Sequence, residues 1–188
     1  RLIAEASGRD IALGAVTCAA PENVETISRE LDVPGFESPA EMFDSGLIDA
    51  AVIATPHYLH PPLIVRAAQA GLHVLSEKPL AATIGAARTA VEACEAAGVA
   101  LGVVFQQRSR DAMITMKRMV DRGQLGEIYH ASLLCSDWYR TQAYYEASPW
   151  RGTWDGEGGG VLINQASHSL DLFQWIAGMP KKVAGFAE

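Results

Sequence analysis

The sequence predicts an α/β fold, a parallel sheet interleaved with helices, followed by a partial α+β domain. Three observations carry this. Short apolar runs alternate with helical stretches of about ten to fifteen residues, the rhythm of βαβ units. Those runs are apolar throughout, as strands covered by helices on both faces require. After Gly126 the pattern changes: Ile128 to Trp138 is a longer, partly alternating run rich in hydroxyl and aromatic residues. That pattern suits an antiparallel sheet with one exposed face. The boundary falls at 123/124, giving domains 1–123 and 124–188.

Taken in order, Ile11 to Cys18 is an apolar strand. Pro21 opens a helix to Glu30, because proline suits a first helical position and Glu22 and Glu25 suit the first turn. A short strand near Phe36 and a helix from Pro39 to Ser45 follow. Ile48 to Thr55 is a second strand, stopped by Pro56. His60-Pro61-Pro62 opens a helix to Ala70, capped by Gly71. His73 to Ser76 and Val99 to Val104 are strands around a helix from Thr83 to Ala97, with Gly98 as its cap. Arg110 to Gly123 is a helix. Tyr139 to Gly158 is a long loop, and a helix then opens at Gly158, with a strand from Lys182.

The bulk properties exclude several classes. The chain has 188 residues, 49% apolar and 20% charged, enough for a sizeable core. A net charge of −7 argues against nucleic acid and anionic membranes as partners. Cys18, Cys94 and Cys135 form no Cys-x-x-Cys pair, which fits a reducing cytoplasm and suggests neither zinc nor disulfides. No apolar run approaches the roughly 20 residues of a membrane span. Arg1 falls inside what reads as a helix tail, so a partial sequence, short at both ends, is expected.

In a parallel sheet, ligands bind outside the carboxyl ends of the strands. Thr17 and Cys18, Thr55 to His57, Glu77 to Pro79, and Gln106 to Arg108 occupy those ends. Lys78, between an acid and a proline, is either a solvated turn residue or an amine held for proton transfer. Desolvation would favour its neutral form and Glu77 would oppose this. Pro79 is a candidate for a cis peptide bond. Thr55 either binds a ligand or ends its strand, and His60 either faces a ligand or caps a helix. Beyond Gly158-Gly159-Gly160, the residues Asn164, His168 and Asp171 follow at spacings of four and three, one face of a single helix. As a metal set, one amide, one imidazole and one carboxylate are poor, and no metal is expected. In the loop, Tyr144, Tyr145, Trp150, Arg151 and Trp154 either face a substrate or anchor the loop.

Four motifs stand in one order: Ala54-Thr55-Pro56 with His60; Glu77-Lys78-Pro79-Leu80; Gly123-Gln124-Leu125-Gly126-Glu127-Ile128; and Gly158-Gly159-Gly160 with Asn164 and His168. In this order the chain resembles the Gfo/Idh/MocA family, the glucose–fructose oxidoreductase and inositol dehydrogenase group. The resemblance implies a Rossmann domain followed by a domain built on an open, mainly antiparallel sheet. It implies an NAD(P)-dependent oxidoreductase moving hydride between the cofactor (NAD or NADP) and a sugar, cyclitol or related hydroxy or keto compound. Lys78 matches the family's active-site lysine and His168 its acid/base. Asn164 matches a position often held by Asp. Thr55, Pro56, His60 and Glu77 match positions beside the nicotinamide, and Pro79 and Gln106 complete the candidate cofactor contacts. Arg151, Trp154, Asn164 and His168 are the candidate substrate contacts, with Asp171 fixing His168. A homodimer or homotetramer is implied for the intact protein.

Two departures matter. No Gly-x-Gly-x-x-Gly loop precedes Arg1, and Thr17-Cys18-Ala19-Ala20 lacks the acid that would contact a ribose 2′-hydroxyl, which leans towards tolerating NADP. A non-redox sugar-binding or regulatory member, or an NAD-using glycoside hydrolase, is the alternative.

Overall fold

The runs read as buried strands at 48–55 and 73–76 form the centre of the first of two compact units, Arg1–Val103 and Val104–Glu188. The structure, a computed structural model, describes residues 11–18, 20–136 and 139–186. In the first unit the order is β1 (Val16–Thr17), α1 (Val24–Leu31), β2 (Gly35–Phe36), α2 (Pro39–Asp44), β3 (Ala50–Ile53), α3 (His60–Gln69), β4 (His73–Ser76), α4 (Ile84–Ala97) and β5 (Leu101–Val103). β3, β4 and β5 pair in parallel, with Ala51 opposite Val74 and Leu75 opposite Gly102. β1 and β2 form a separate parallel pair.

Local chemistry sets the helix ends. The Ser38 hydroxyl accepts from Ala40 N–H and the Thr83 hydroxyl from Ala86 N–H, satisfying donors that a first helical turn leaves open. Gly98 closes α4 with φ of 68°, a conformation glycine adopts without strain. The core lies between the sheet and the pair α3 and α4. Ile64, Ala67 and Ala90 have no exposed surface, and Phe43, Ile53 and Val74 are buried beside them. Cys94 belongs to this core, and burial pushes its thiol up from its ordinary value.

The sheet departs from expectation in one respect. Ala51, Ile53, Val74 and Ser76 are buried, whereas Val52 and Leu75 are 53% and 44% exposed. Side chains of a strand point alternately to its two faces, and one face of this sheet is covered.

The second unit contains a 3-10 turn (Gln106–Ser109), α5 (Asp111–Asp121), α6 (Gln142–Glu146), α7 (Val161–Asn164) and α8 (Ser167–Ala177). Division by packing therefore places α5 with this unit, ahead of the 123/124 boundary expected. The antiparallel sheet is not formed among the described residues. Ile128–Ser136 and the stretch from Lys182 to Phe186 carry no strand pairing, and Asp137 and Trp138 lie outside the described residues. A strand exists only when a neighbour takes its backbone donors and acceptors, and neither segment has one here.

The single helix expected after Gly158 is two helices. Ala166 N–H bonds to Val161 O, five residues back, and the Ser167 hydroxyl donates to Asn164 O at 3.0 Å. A wide turn and a side chain inserted into the ladder are physical causes of such a break. Asn164 thus ends one helix while His168 and Asp171 belong to the next.

Candidate active site

In the first unit the strand ends converge through His60. This residue has no exposed surface, with Nδ1 2.8 Å from Pro79 O and Nε2 2.8 Å from Thr55 O. A neutral imidazole carries one N–H and donates to one of these carbonyls, whereas an imidazolium donates to both. The ring ties the turn after β3 to the turn after β4. It offers no ring surface to a ligand, so its part in a cofactor site is to space the two turns. Glu77 N–H donates to Ile53 O at 2.8 Å, and the Glu77 carboxylate accepts from Lys78 N–H at 3.2 Å. The Lys78–Pro79 bond is cis. Thr55, Pro56, His60, Glu77, Lys78 and Pro79 are therefore brought into one corner, with Lys78 on a turn secured from both sides.

Two buried hydroxyl oxygens of this unit, Thr17 Oγ1 and Thr55 Oγ1, have no hydrogen-bond partner among the described residues. Thr17 ends β1, and Thr55 lies two residues past the end of β3. Buried polar groups are normally partnered, so two orphans at strand ends mark places for a polar ligand.

In the second unit, Arg108 donates to both oxygens of Asp171, at 2.7 and 2.5 Å. The hydrogen bonding to Asp171 pushes Arg108 up from its ordinary value, against a smaller opposing pull from burial. The guanidinium also lies 5.3 Å from the centre of the Trp175 ring and 5.9 Å from that of Phe105. Both oxygens of Asp171, the residue expected to fix His168, bind a planar guanidinium, whose fork matches a carboxylate. The His168 ring meets Phe105 edge-on, with centroids 6.0 Å apart and an interplanar angle of 90°. Gln106 is exposed on the 3-10 turn.

A pocket of about 390 Å³ opens beside α7, lined by Tyr145, Arg151, Glu157 and Asn164 among others. Arg151 donates to the Tyr144 hydroxyl and lies 4.4 Å from the Tyr144 ring centre and 4.5 Å from that of Trp150. Gln165 accepts from Arg140 at 2.8 Å and donates to the Tyr144 hydroxyl at 3.3 Å. So Tyr144 and Trp150 anchor the loop and hold Arg151 at the pocket, while Trp154 stands 82% exposed. The sequence reading missed Glu157, which is 2% exposed and accepts from Gly152 N–H and the Asn164 amide. One signal was present: an acid directly before three glycines, after Gly156. A Cβ at Gly156 would lie 2.6 Å from Trp150 O, so the loop closes tightly beside Glu157.

Residues 4–105 match the model of an oxidoreductase family with an NAD-binding Rossmann fold, and residues 113–188 match the Gfo/Idh/MocA C-terminal domain. The chain belongs to the Gfo/Idh/MocA family. Among solved structures, the WlbA dehydrogenase from Bordetella pertussis, in complex with NADH and UDP-GlcNAcA, is 38% identical. It superposes with a TM-score of 0.81 over 93% of this chain and 50% of that one. The 2,7-anhydro-N-acetylneuraminate hydratase of Escherichia coli is 30% identical over 87% of this chain and 43% of its own length. The scyllo-inositol 2-dehydrogenase (NAD(+)) of Bacillus subtilis is 28% identical over 82% and 43%. The chain thus spans about half the length of the relatives it matches. Among the described residues no helix is long and apolar enough to cross a membrane.

The strand-end residues fit a nicotinamide dinucleotide, a ligand rich in hydroxyl and phosphate oxygens that the orphaned threonine hydroxyls can meet. Thr55→Val keeps the side-chain shape and removes the hydroxyl. It is expected to leave the thermal midpoint unchanged or slightly raised and to weaken NADH binding about tenfold. Fluorescence titration checks this; unchanged NADH affinity would remove Thr55 from the cofactor site.

Proposed function

We propose that the intact protein oxidises a secondary hydroxyl of a sugar or cyclitol, or reduces the matching ketone, with NAD or NADP. The match of both segments of the chain to an NAD-binding oxidoreductase family carries this reading. Thr55, Pro56, Glu77, Lys78 and Pro79 hold the cofactor, with Thr17 at a further strand end, and His60 spaces the two turns that present the first five. When bound, the nicotinamide supplies the hydride acceptor. His168 takes the proton of the substrate hydroxyl and Asn164 orients a neighbouring hydroxyl, while Lys78 serves as the active-site lysine of the first unit. Arg151 and Trp154 contact the rest of the substrate. The relative bound to NADH and UDP-GlcNAcA supports a sugar substrate, with sugar acids in the class to be assayed. The absence of an acid at Thr17-Cys18 leaves room for the 2′-phosphate of NADP. The same reading makes the intact protein a cytoplasmic homodimer or homotetramer.

The hydratase relative supports a second reading, a reaction that uses NAD transiently without net redox change. One experiment separates the two. The intact gene product is titrated with NADH and NADPH, then incubated with NAD or NADP and a panel of sugars, cyclitols and nucleotide-linked sugar acids. Reduced cofactor formed in step with ketone product is the expected result. Product without net reduction would favour the second reading. Sugar binding without nicotinamide binding would sink both and leave a binding protein.

A further inference from the structure

Arg29, Arg66, Arg108 and Lys117 each meet a carboxylate. Arg151 does not: among the described residues no acid stands within ion-pair distance of it, although the side chain is half-buried. What holds it is aromatic. Its guanidinium carbon lies 4.4 Å from the Tyr144 ring centre and 4.5 Å from that of Trp150. A ring attracts a cation through its quadrupole and carries no countercharge. A guanidinium has five N–H donors, and a single one of them, given to the Tyr144 hydroxyl, is used by the described residues. The others remain at the wall of the pocket of about 390 Å³ beside α7. Tyr144 is set in turn by Gln165, which donates to its hydroxyl at 3.3 Å and accepts from Arg140 at 2.8 Å. The fork is therefore aimed before a ligand arrives, and little rotamer freedom is lost when one binds.

We infer that Arg151 receives a carboxylate of the substrate, that Tyr144 positions it, and that the pocket takes sugar acids in preference to neutral sugars. The inference rests on the substrate role proposed for Arg151. Charge favours a carboxylate over a phosphate. Among the described residues Arg151 is the one cation in the lining, which also holds Glu157. A phosphate dianion would bring two charges to a wall offering one, whereas a carboxylate brings one charge on two oxygens that match the guanidinium fork.

The test uses probe pairs that differ only in a carboxylate against a hydroxymethyl group: UDP-GlcNAcA with UDP-GlcNAc, and D-glucuronate with D-glucose. Calorimetry on the intact protein, with and without saturating NADH, gives their dissociation constants. In at least one pair the acid should bind about tenfold or more tightly than its neutral counterpart. Arg151→Gln should erase that preference while leaving the neutral probe and NADH affinity unchanged. Arg151→Lys keeps the charge without the fork and should retain only part of it. Tyr144→Phe keeps the ring but loses the hydroxyl that accepts from Arg151. It should cut the preference about threefold at unchanged neutral-probe affinity, a selective effect that a merely structural role would not produce. No preference in either pair, a preference that survives Arg151→Gln, or wild type that binds none of the probes would overturn the inference. So would equal weakening of UDP-GlcNAcA and UDP-GlcNAc in Arg151→Gln, which would assign the arginine to the diphosphate. If Arg151→Gln does not fold, a preference unchanged in both Arg151→Lys and Tyr144→Phe overturns it equally. Acid-selective binding without reduction of NAD or NADP would end the hydride-transfer reading and leave the inference standing; cofactor reduction by neutral sugars alone would do the reverse.

Discussion

His168→Ala is expected to lower kcat by about 10²–10⁴-fold, the usual contribution of a positioned proton-transfer group, while leaving NADH affinity unchanged. The imidazole belongs to α8, meets Phe105 edge-on, and lies three residues before Asp171, which Arg108 holds by two hydrogen bonds. A ring presented in this way can take a proton from a substrate hydroxyl without first ordering itself, whereas alanine leaves the task to water. The check is steady-state kinetics of the intact enzyme on whichever hydroxyl substrate it turns over, beside an NADH titration. Equal kcat values for variant and wild type would take His168 out of the chemistry. A loss of NADH binding together with kcat would show instead that the ring supports the cofactor site.

His60→Ala is expected to destabilise the protein by about 3 kcal/mol or more, from the cavity it opens and the carbonyl partners it removes. The ring has no exposed surface and stands 2.8 Å from both Pro79 O and Thr55 O. No smaller side chain reaches both. The expected drop in thermal midpoint is on the order of 10 °C. NADH should bind more weakly as well, because the turns carrying Thr55 and Lys78 lose their common tie. Thermal unfolding and NADH titration on the same preparation test this. Weaker NADH binding with an unchanged midpoint would mean that His60 touches the cofactor directly.

What the sequence revealed follows from how far apart the interacting groups are along the chain. Helices such as α2 and α4 were legible because their signals, Pro39, Thr83 and Gly98, act on backbone a few residues away. The parallel strands β3 and β4 were legible from apolar runs, the first stopped by Pro56 and the second following Gly71. The strand expected from Ile128 is unpaired among the described residues, because pairing needs a distant partner, which an alternating pattern does not guarantee. Spacing put Asn164, His168 and Asp171 on one face of a continuous helix, but the Ser167 hydroxyl and a wide turn interrupt that helix. The partnership of Arg108 with Asp171 spans 63 residues, and that of Glu157 with Asn164 joins a loop to a helix end. Neither leaves a periodic trace. The motifs at Glu77-Lys78-Pro79 and Gly158-Gly159-Gly160 identified the family, while the contacts that orient its side chains became visible only in three dimensions.

The Arg108–Asp171 fork has a consequence for how α8 is aimed. Each step along an α-helix turns the side-chain direction by about 100°, so a helix free to spin on its axis would sweep the imidazole of His168 through a wide arc. Two parallel hydrogen bonds to one planar guanidinium, which is itself laid against Trp175 from the same helix, act as a key in a slot. They admit one angular setting of α8 against the Gln106–Ser109 turn. The direction in which His168 looks is thus decided one helical turn away, by a pair of charges that need never meet the substrate.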